Sequence, residues 1–212
     1  MIRPGDAILD VGCHPGGWTQ VSVEEVGDEG LVIGVDIKST SPIEGATVLQ
    51  GNIIHKETIE RIEELLDGGQ FNIVLSDISP KLTGRYDTDQ AISLELSTMT
   101  LDVAMDLLAP GGAFVTKIFQ GVGIEGLIKA AKDRFSNVQR FAPMASRNSS
   151  SETYLICRNR LPVPRRPARG LTAFEQVLNH LTEVGINVDE TSTEDEEIEI
   201  NKGFRRLNRN DE

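Results

Sequence analysis

The segment Asp10-Val-Gly-Cys-His-Pro-Gly-Gly-Trp18 decides the fold. It follows an apolar, strand-like run at residues 7–11 and opens a stretch with helical spacing at 17–26. Glycines at such a turn let the backbone bend sharply and approach a ligand with no Cβ in the way. In open α/β sheets, this first strand-to-helix turn is where nucleotide-like ligands bind. Alone, a glycine-rich turn is also an ordinary tight connection, and two further features give it more meaning. Asp36 closes the second strand-like run, roughly 20 residues on, where a carboxylate can accept hydrogen bonds from both ribose hydroxyls. Pro15 breaks the dinucleotide pattern G-x-G-x-x-G and stiffens the turn that would admit a pyrophosphate, so a nucleoside without phosphates fits better.

The same alternation continues outward from this turn. Strand-like runs fall at 7–11, 31–36, 47–50, 72–76, 113–117, 138–141 and 153–157. Helical patterns lie at 17–26, 56–66, 91–108 and 124–135, each with an apolar face. Gly111 and Gly112, after Pro110, read as the close of the third helix. Strands alternating with helices specify an α/β, doubly wound, Rossmann-like sheet of seven strands. The connection between the last two is too short for a crossover, which predicts an antiparallel strand at one edge.

Residues 1–159 thus form one catalytic domain. A Pro/Arg-rich linker spans 160–170, and 171–212 hold a short helix at 172–184 and an acidic tail read as mobile. The net charge of −12 is of the sign that repels a phosphate backbone. Much of the acid lies in the tail, however, while Arg160, Arg165, Arg166 and Arg169 cluster before it. Cys13 and Cys157 lack metal-ligand spacing, so neither a metal site nor a disulfide is expected. With no membrane span or signal segment in the pattern, the expectation is a soluble, cytoplasmic protein.

Polar residues end the central strands. Asp77 follows Ile73-Val-Leu-Ser, Lys117 follows Ala113-Phe-Val-Thr, and Glu152 opens the final strand. Lysine is rarely buried without a partner, so Lys117 is either half of an ion pair with Asp77 or a working amine. Group transfer to a hydroxyl needs in-line approach and loss of a weakly acidic proton, and a protonated lysine cannot accept that proton. Base and positioner both remain open for Lys117. Asn52, after the third strand, stands where an amide can read an adenine amino group or simply make a turn. Trp18 is either a helix-face aromatic packed on the sheet or a ligand-stacking one.

From about Ile2 to Arg158 the chain resembles the FtsJ-like (RrmJ-like) ribosomal RNA 2′-O-ribose methyltransferases. The segments that carry the resemblance are the loop above, Ser76-Asp-Ile-Ser-Pro-Lys-Leu-Thr-Gly84, Pro110-Gly-Gly-Ala-Phe-Val-Thr-Lys-Ile-Phe-Gln-Gly121 and Ser146-Arg-Asn-Ser-Ser-Ser-Glu-Thr-Tyr154. It implies S-adenosyl-L-methionine as cofactor, contacted by Gly16, Trp18, Asp36, Asn52 and Asp77. It also implies Lys117 as catalytic amine with Asp77 and Glu152 as its company, and ribosomal RNA or the large ribosomal subunit as partner. Asn52 replaces the family's usual acidic residue, and His14 a small one. The family's Ser-Arg-Ser/Ala-x-x-Lys-Leu segment, which supplies another catalytic lysine, would lie ahead of Met1-Ile-Arg-Pro-Gly-Asp; the expectation is that it belongs upstream of this start. A transfer RNA methyltransferase and a catalytically impaired RNA-binding factor are the rival readings.

Overall fold

Alternation along the strands sets the layers, because successive side chains of a strand face opposite sides of the sheet. In β1 (Ala7–Val11), Leu9 and Val11 enter the larger core and Ile8 enters the smaller one on the opposite face. The chain continues through α1 (Gly17–Val26), β2 (Leu31–Asp36), β3 (Thr47–Gln50), α2 (Lys56–Leu66), β4 (Phe71–Ser76) and α3 (Tyr86–Leu107). There follow β5 (Leu108–Phe119), α4 (Ile124–Arg134), β6 (Phe135–Phe141), β7 (Glu152–Arg160), a 3-10 turn at Arg166–Ala168 and α5 (Ala173–Glu183). This computed structural model describes residues 1–80, 82–142, 152–188 and 207–209. Lys81, residues 146–151 of the fourth quoted segment, the acidic run at 189–199, Arg205 and Arg206 lie outside the described residues.

The seven strands run in the order β3-β2-β1-β4-β5-β7-β6, parallel from β3 to β5. The doubly wound sheet is as expected, with the chain reversing its direction of travel between β1 and β4. β7 is antiparallel to both neighbours, inserted between β5 and the edge strand β6. Its beginning, not its end, therefore meets the carboxyl ends of the parallel strands.

Several boundaries differ from the sequence reading, β6 starting at Phe135 and β7 running to Arg160 among them, and two have a clear local cause. The helix read at 91–108 begins earlier, at Tyr86, where the Asp89 carboxylate accepts the Thr83 and Gly84 backbone N–H groups and fixes the entry. Gly111 and Gly112 do not close that helix: β5 starts at Leu108 directly, and the pair lies inside the strand, where its register against β4 shifts. A Cβ on Gly112 would stand 2.9 Å from the Asn72 carbonyl oxygen, so the residue answers to close strand packing rather than to helix capping.

The Pro/Arg-rich stretch after β7 is tied down. Leu161 N–H donates to the Arg134 carbonyl and Arg165 N–H to the Asp133 carbonyl, both at 2.8 Å. It delivers α5 to the outer surface of α3 and α4, where Ala173, Val177 and Leu181 are fully buried at helical spacing. Thr172 and Glu175 form a reciprocal capping box at its start. The α3 residue Asp102 also accepts the Ala173 and Phe174 backbone N–H groups there. The buried Arg134 guanidinium locks the same corner, donating to Gln176 Oε1 at 2.7 Å and to the Leu171 carbonyl at 2.8 Å. Beyond α5, β8 (Ile186–Val188) pairs antiparallel with β9 (Leu207–Arg209), which the reading of 171–212 as helix and tail did not anticipate.

Leu181 fills the seam between α3 and α4, against the space that a Cβ on Gly123 would need. Leu181→Ala should therefore cost about 2–4 kcal/mol by the usual transfer and cavity terms, read as a lowered urea midpoint. A loss under about 1 kcal/mol would show that α5 is not part of the cooperative core.

Candidate active site

Three strand ends converge at the carboxyl edge of the sheet. Lys117 in β5 faces Tyr154 across the antiparallel ladder, and Glu152 lies two residues away on the same face of β7. Asp77 leaves β4 beside them, since Ser76 pairs with Thr116. Lys117 Nζ sits 2.7 Å from Asp77 Oδ1 and 4.0 Å from Glu152 Oε1. The lysine is buried and both carboxylates are half-exposed, so the cation is compensated on one side and reachable from the other. The Ser97 hydroxyl from α3 donates to the Lys117 carbonyl at 2.9 Å, and Ser93 Oγ accepts the Phe119 N–H at 3.1 Å. These serines, one helical turn apart, anchor the catalytic strand to α3; nothing in their sequence context singled them out.

Beside this triad lies a cavity of about 320 Å³, within the usual range for small-molecule sites. Its walls include Gly12, His14, Asp36, Asn52 and Asp77 from the turns after β1 to β4, and Ile92, Leu96 and Met99 from α3. The apolar α3 wall was absent from the sequence reading, because a helix face that lines a cavity has the same periodicity as one that packs a core. Asp36 is preset: Oδ2 accepts the His14 N–H at 2.9 Å and Oδ1 accepts the Lys38 N–H at 2.8 Å. Each oxygen keeps acceptor capacity for a further donor. Asn52 stands at the far wall, its Oδ1 3.3 Å from the Ile54 N–H. The His14 ring lies 3.3 Å from Thr40 Oγ1.

Lys117 and Glu152 meet this cavity only through Asp77, and two of the candidate cofactor residues, Gly16 and Trp18, stand apart from it. Gly16 is buried beneath the loop, where a Cβ would come 2.6 Å from Ile43 Cδ1. Trp18 packs on the Tyr154 ring, centroids 5.8 Å apart, beside the smaller core. Gly12, by contrast, needs to be glycine: its φ is +77°, and a Cβ there would stand 2.9 Å from the Ile78 nitrogen. The first turn is thus pressed against the segment that follows Asp77.

Under the loop, Asp10 is completely buried and accepts a hydrogen bond from the Thr19 hydroxyl at 2.6 Å, while its Oδ1 has no hydrogen-bond partner among the described residues. Burial, with smaller contributions from Asp77 and Asp36, pushes its carboxyl up to about 6. Burial likewise pushes the Cys13 thiol up to about 11, which makes it an unreactive packing group.

The family model for FtsJ-like methyltransferases matches residues 1–160, which carry this whole site. The chain belongs to the FtsJ-like methyltransferase family. The chain is 43% identical over 166 residues to the ribosomal RNA large subunit methyltransferase E of Methanothrix thermoacetophila, a match covering 78% of this chain and 64% of the relative. It thus spans just under two thirds of that relative's length. It is 39% identical over 160 residues to the protein of the same name from Chromobacterium violaceum, covering 76% of this chain and 78% of the relative. A solved structure described as a ribosomal RNA methyltransferase of Plasmodium falciparum matches with a TM-score of 0.68 at 28% identity, over 76% of this chain and 90% of that one. The Pro/Arg-rich stretch between β7 and α5, here called the strap, and α5 itself follow the matched residues.

The Asp10 carboxyl supplies a test of the site's electrostatics. Its folded pKa of about 6 lies above the 3.8 of an unperturbed aspartate, so between those values the folded chain holds more protons than the unfolded one. Stability from this group is therefore present at low pH and lost as pH rises through about 6. Relative to Asp10→Asn, the native chain should lose up to about 3 kcal/mol between pH 4 and pH 7, two pKa units at about 1.4 kcal/mol each. Parallel pH dependences of the urea midpoints would show that Asp10 titrates normally.

Proposed function

We propose that this chain transfers the methyl group of S-adenosyl-L-methionine to a ribose 2′-hydroxyl of RNA, a uridine of large-subunit ribosomal RNA being the target. The observation that carries this reading is the Lys117 ammonium, held 2.7 Å from Asp77, which together with Asp36 and Asn52 lines a nucleoside-sized cavity. The names of the relatives support the choice of RNA, and the site of action is then the cytoplasm, where ribosomal RNA is assembled. No helix among the described residues is long and apolar enough to cross a membrane.

The residues present fit the cofactor. Asp36, whose two oxygens are already oriented by backbone donors, would hold its ribose. Asn52 and the apolar α3 side chains would hold its adenine. Gly16 underlies the loop, and Trp18 steadies it through Tyr154. Asp10, Asp36 and Asp77 make the region electronegative, and the unsatisfied Asp10 Oδ1 sharpens this, so a cationic ligand is favoured over a phosphorylated one. When bound, the cofactor supplies an electrophilic methyl group on sulfur.

The protein's part is positioning and charge. Lys117, clamped by Asp77 and Glu152 and by its own carbonyl fixed to Ser97, would donate to the target oxygen and fix that oxygen's orientation. The same ammonium stabilises negative charge as the hydroxyl proton is shed to the flanking carboxylates. Domain boundaries follow from this division of labour: residues 1–159 carry chemistry, and 160–170 and 171–212 are accessory.

The test is transfer of label from methyl-labelled cofactor to large ribosomal subunits, with the product located at a ribose oxygen; absence of label in ribosomal RNA would refute the assignment. Lys117→Ala should lower transfer by at least about 10³-fold and leave cofactor affinity within about threefold. Asp36→Ala should instead weaken cofactor binding by about tenfold or more, measured by calorimetry. Small and equal effects from both would discredit these roles.

A further inference from the structure

Compensation within the site creates a difficulty for the substrate. Lys117 is matched by two carboxylates, and Asp36 and Asp10 add more negative charge. A polyanion gains little attraction there, and the chain as a whole carries −12. The cations that hold RNA must be concentrated elsewhere.

They are concentrated on α4 and the strap. Lys129 and Lys132, three residues apart, lie on the outward face of α4, opposite the buried Leu127, Ala130 and Ala131. The strap brings Arg165 and Arg166 onto the end of that face. Arg165 donates its side-chain N–H to the Lys132 carbonyl and its backbone N–H to the Asp133 carbonyl, so the main chains are stitched together. Arg169 folds back on the same strap, its Nε 3.3 Å from the Pro164 carbonyl oxygen. All five are exposed, and none forms an ion pair with an acid among the described residues. Of the nearby acids, Asp133 is taken up by Gln176 Nε2 at 2.6 Å, and Glu125 lies one turn from Lys129. Such a group of like charges is destabilising until an anion joins it.

We propose that this surface binds the phosphate backbone of the RNA substrate, at a distance from the reacting ribose. The inference rests on the proposed RNA methyltransferase activity and specifies how the substrate is held. α4 leaves the catalytic edge at Gly123, and Lys132 lies about 13 Å further along its axis at 1.5 Å per residue. The substrate is therefore a structured RNA long enough to touch both places, and a few nucleotides around the target do not suffice. The hydrogen bonds that fix the strap also preorganise the cations, which lowers the entropy lost on binding.

The experiment compares two double variants of the full chain with the same net charge. Lys132→Gln with Arg166→Gln removes two patch cations; Arg3→Gln with Lys56→Gln removes two distant ones. Binding to transcribed large-subunit ribosomal RNA is measured between about 50 and 200 mM salt. The patch pair should bind about tenfold more weakly near 0.1 M salt, with the log–log salt slope shallower by about 1.4, near 0.7 for each lost phosphate contact. Its KM for RNA should rise while kcat and cofactor affinity stay within about twofold, which a folding defect would not spare. The distant pair should match the native chain. Equal losses from both pairs, or an unaffected patch pair, would overturn the inference, as would a patch needed only for an acidic protein partner. Native chain that binds no RNA would overturn the methyltransferase reading as well; tight binding indifferent to the patch overturns this inference alone.

Discussion

A lysine ammonium inside a sheet sets the terms for everything around it. An unpaired charge at that depth is costly enough that the fold has to bring carboxylates to it. They come from two other strands: Asp77 from the end of β4 and Glu152 from the beginning of β7. Only a strand running against the rest can present its first residue at this edge, so the reversal of β7 and the compensation of Lys117 are one requirement. The cost of the arrangement is a site with little net attraction for phosphate, and the basic face of α4 and the strap answers it from outside.

Much of this could be read from residues alone. The turn at Gly12 was legible because a glycine between a strand and a helix has a local cause, and the structure shows it as a backbone that meets Ile78 with no room for a side chain. The first three strands and first two helices were legible because strand-like runs alternate there with stretches of helical spacing, although α1 buries Thr19 and Ser22 beside Val26. Asp77, Lys117 and Glu152 were noticed as charges placed where apolar residues belong, and the pairing of β4, β5 and β7 brings them together. Pro110-Gly111-Gly112 misled because a helix end and a strand irregularity use the same residues, and only the neighbouring Asn72 carbonyl tells them apart. The α3 wall and Ser93 and Ser97 were invisible, since their roles depend on which strand packs beneath them.

The part of the chain after residue 160 shows how an accessory element becomes structural. α5 docks through three fully buried side chains, but its orientation is fixed by polar groups: Asp102 at its first N–H groups and Arg134 at Gln176. Burial works against the Arg134 charge, with Asp102 and Asp133 opposing that effect. Composition alone marks the strap as a linker, because prolines and arginines without periodicity look the same whether a segment is loose or laced to a helix.

The ladder between β5 and β7 also acts as a built-in check on assembly. A slip of one residue would turn Glu152 and Tyr154 toward the larger core and bring Leu155 and Cys157 out beneath the amine. The misregistered sheet would strand the ammonium and expose its own packing residues in the same stroke. A chain mispaired here therefore carries an uncompensated buried charge and exposed packing residues at once, two penalties that fall on the same misregistered state.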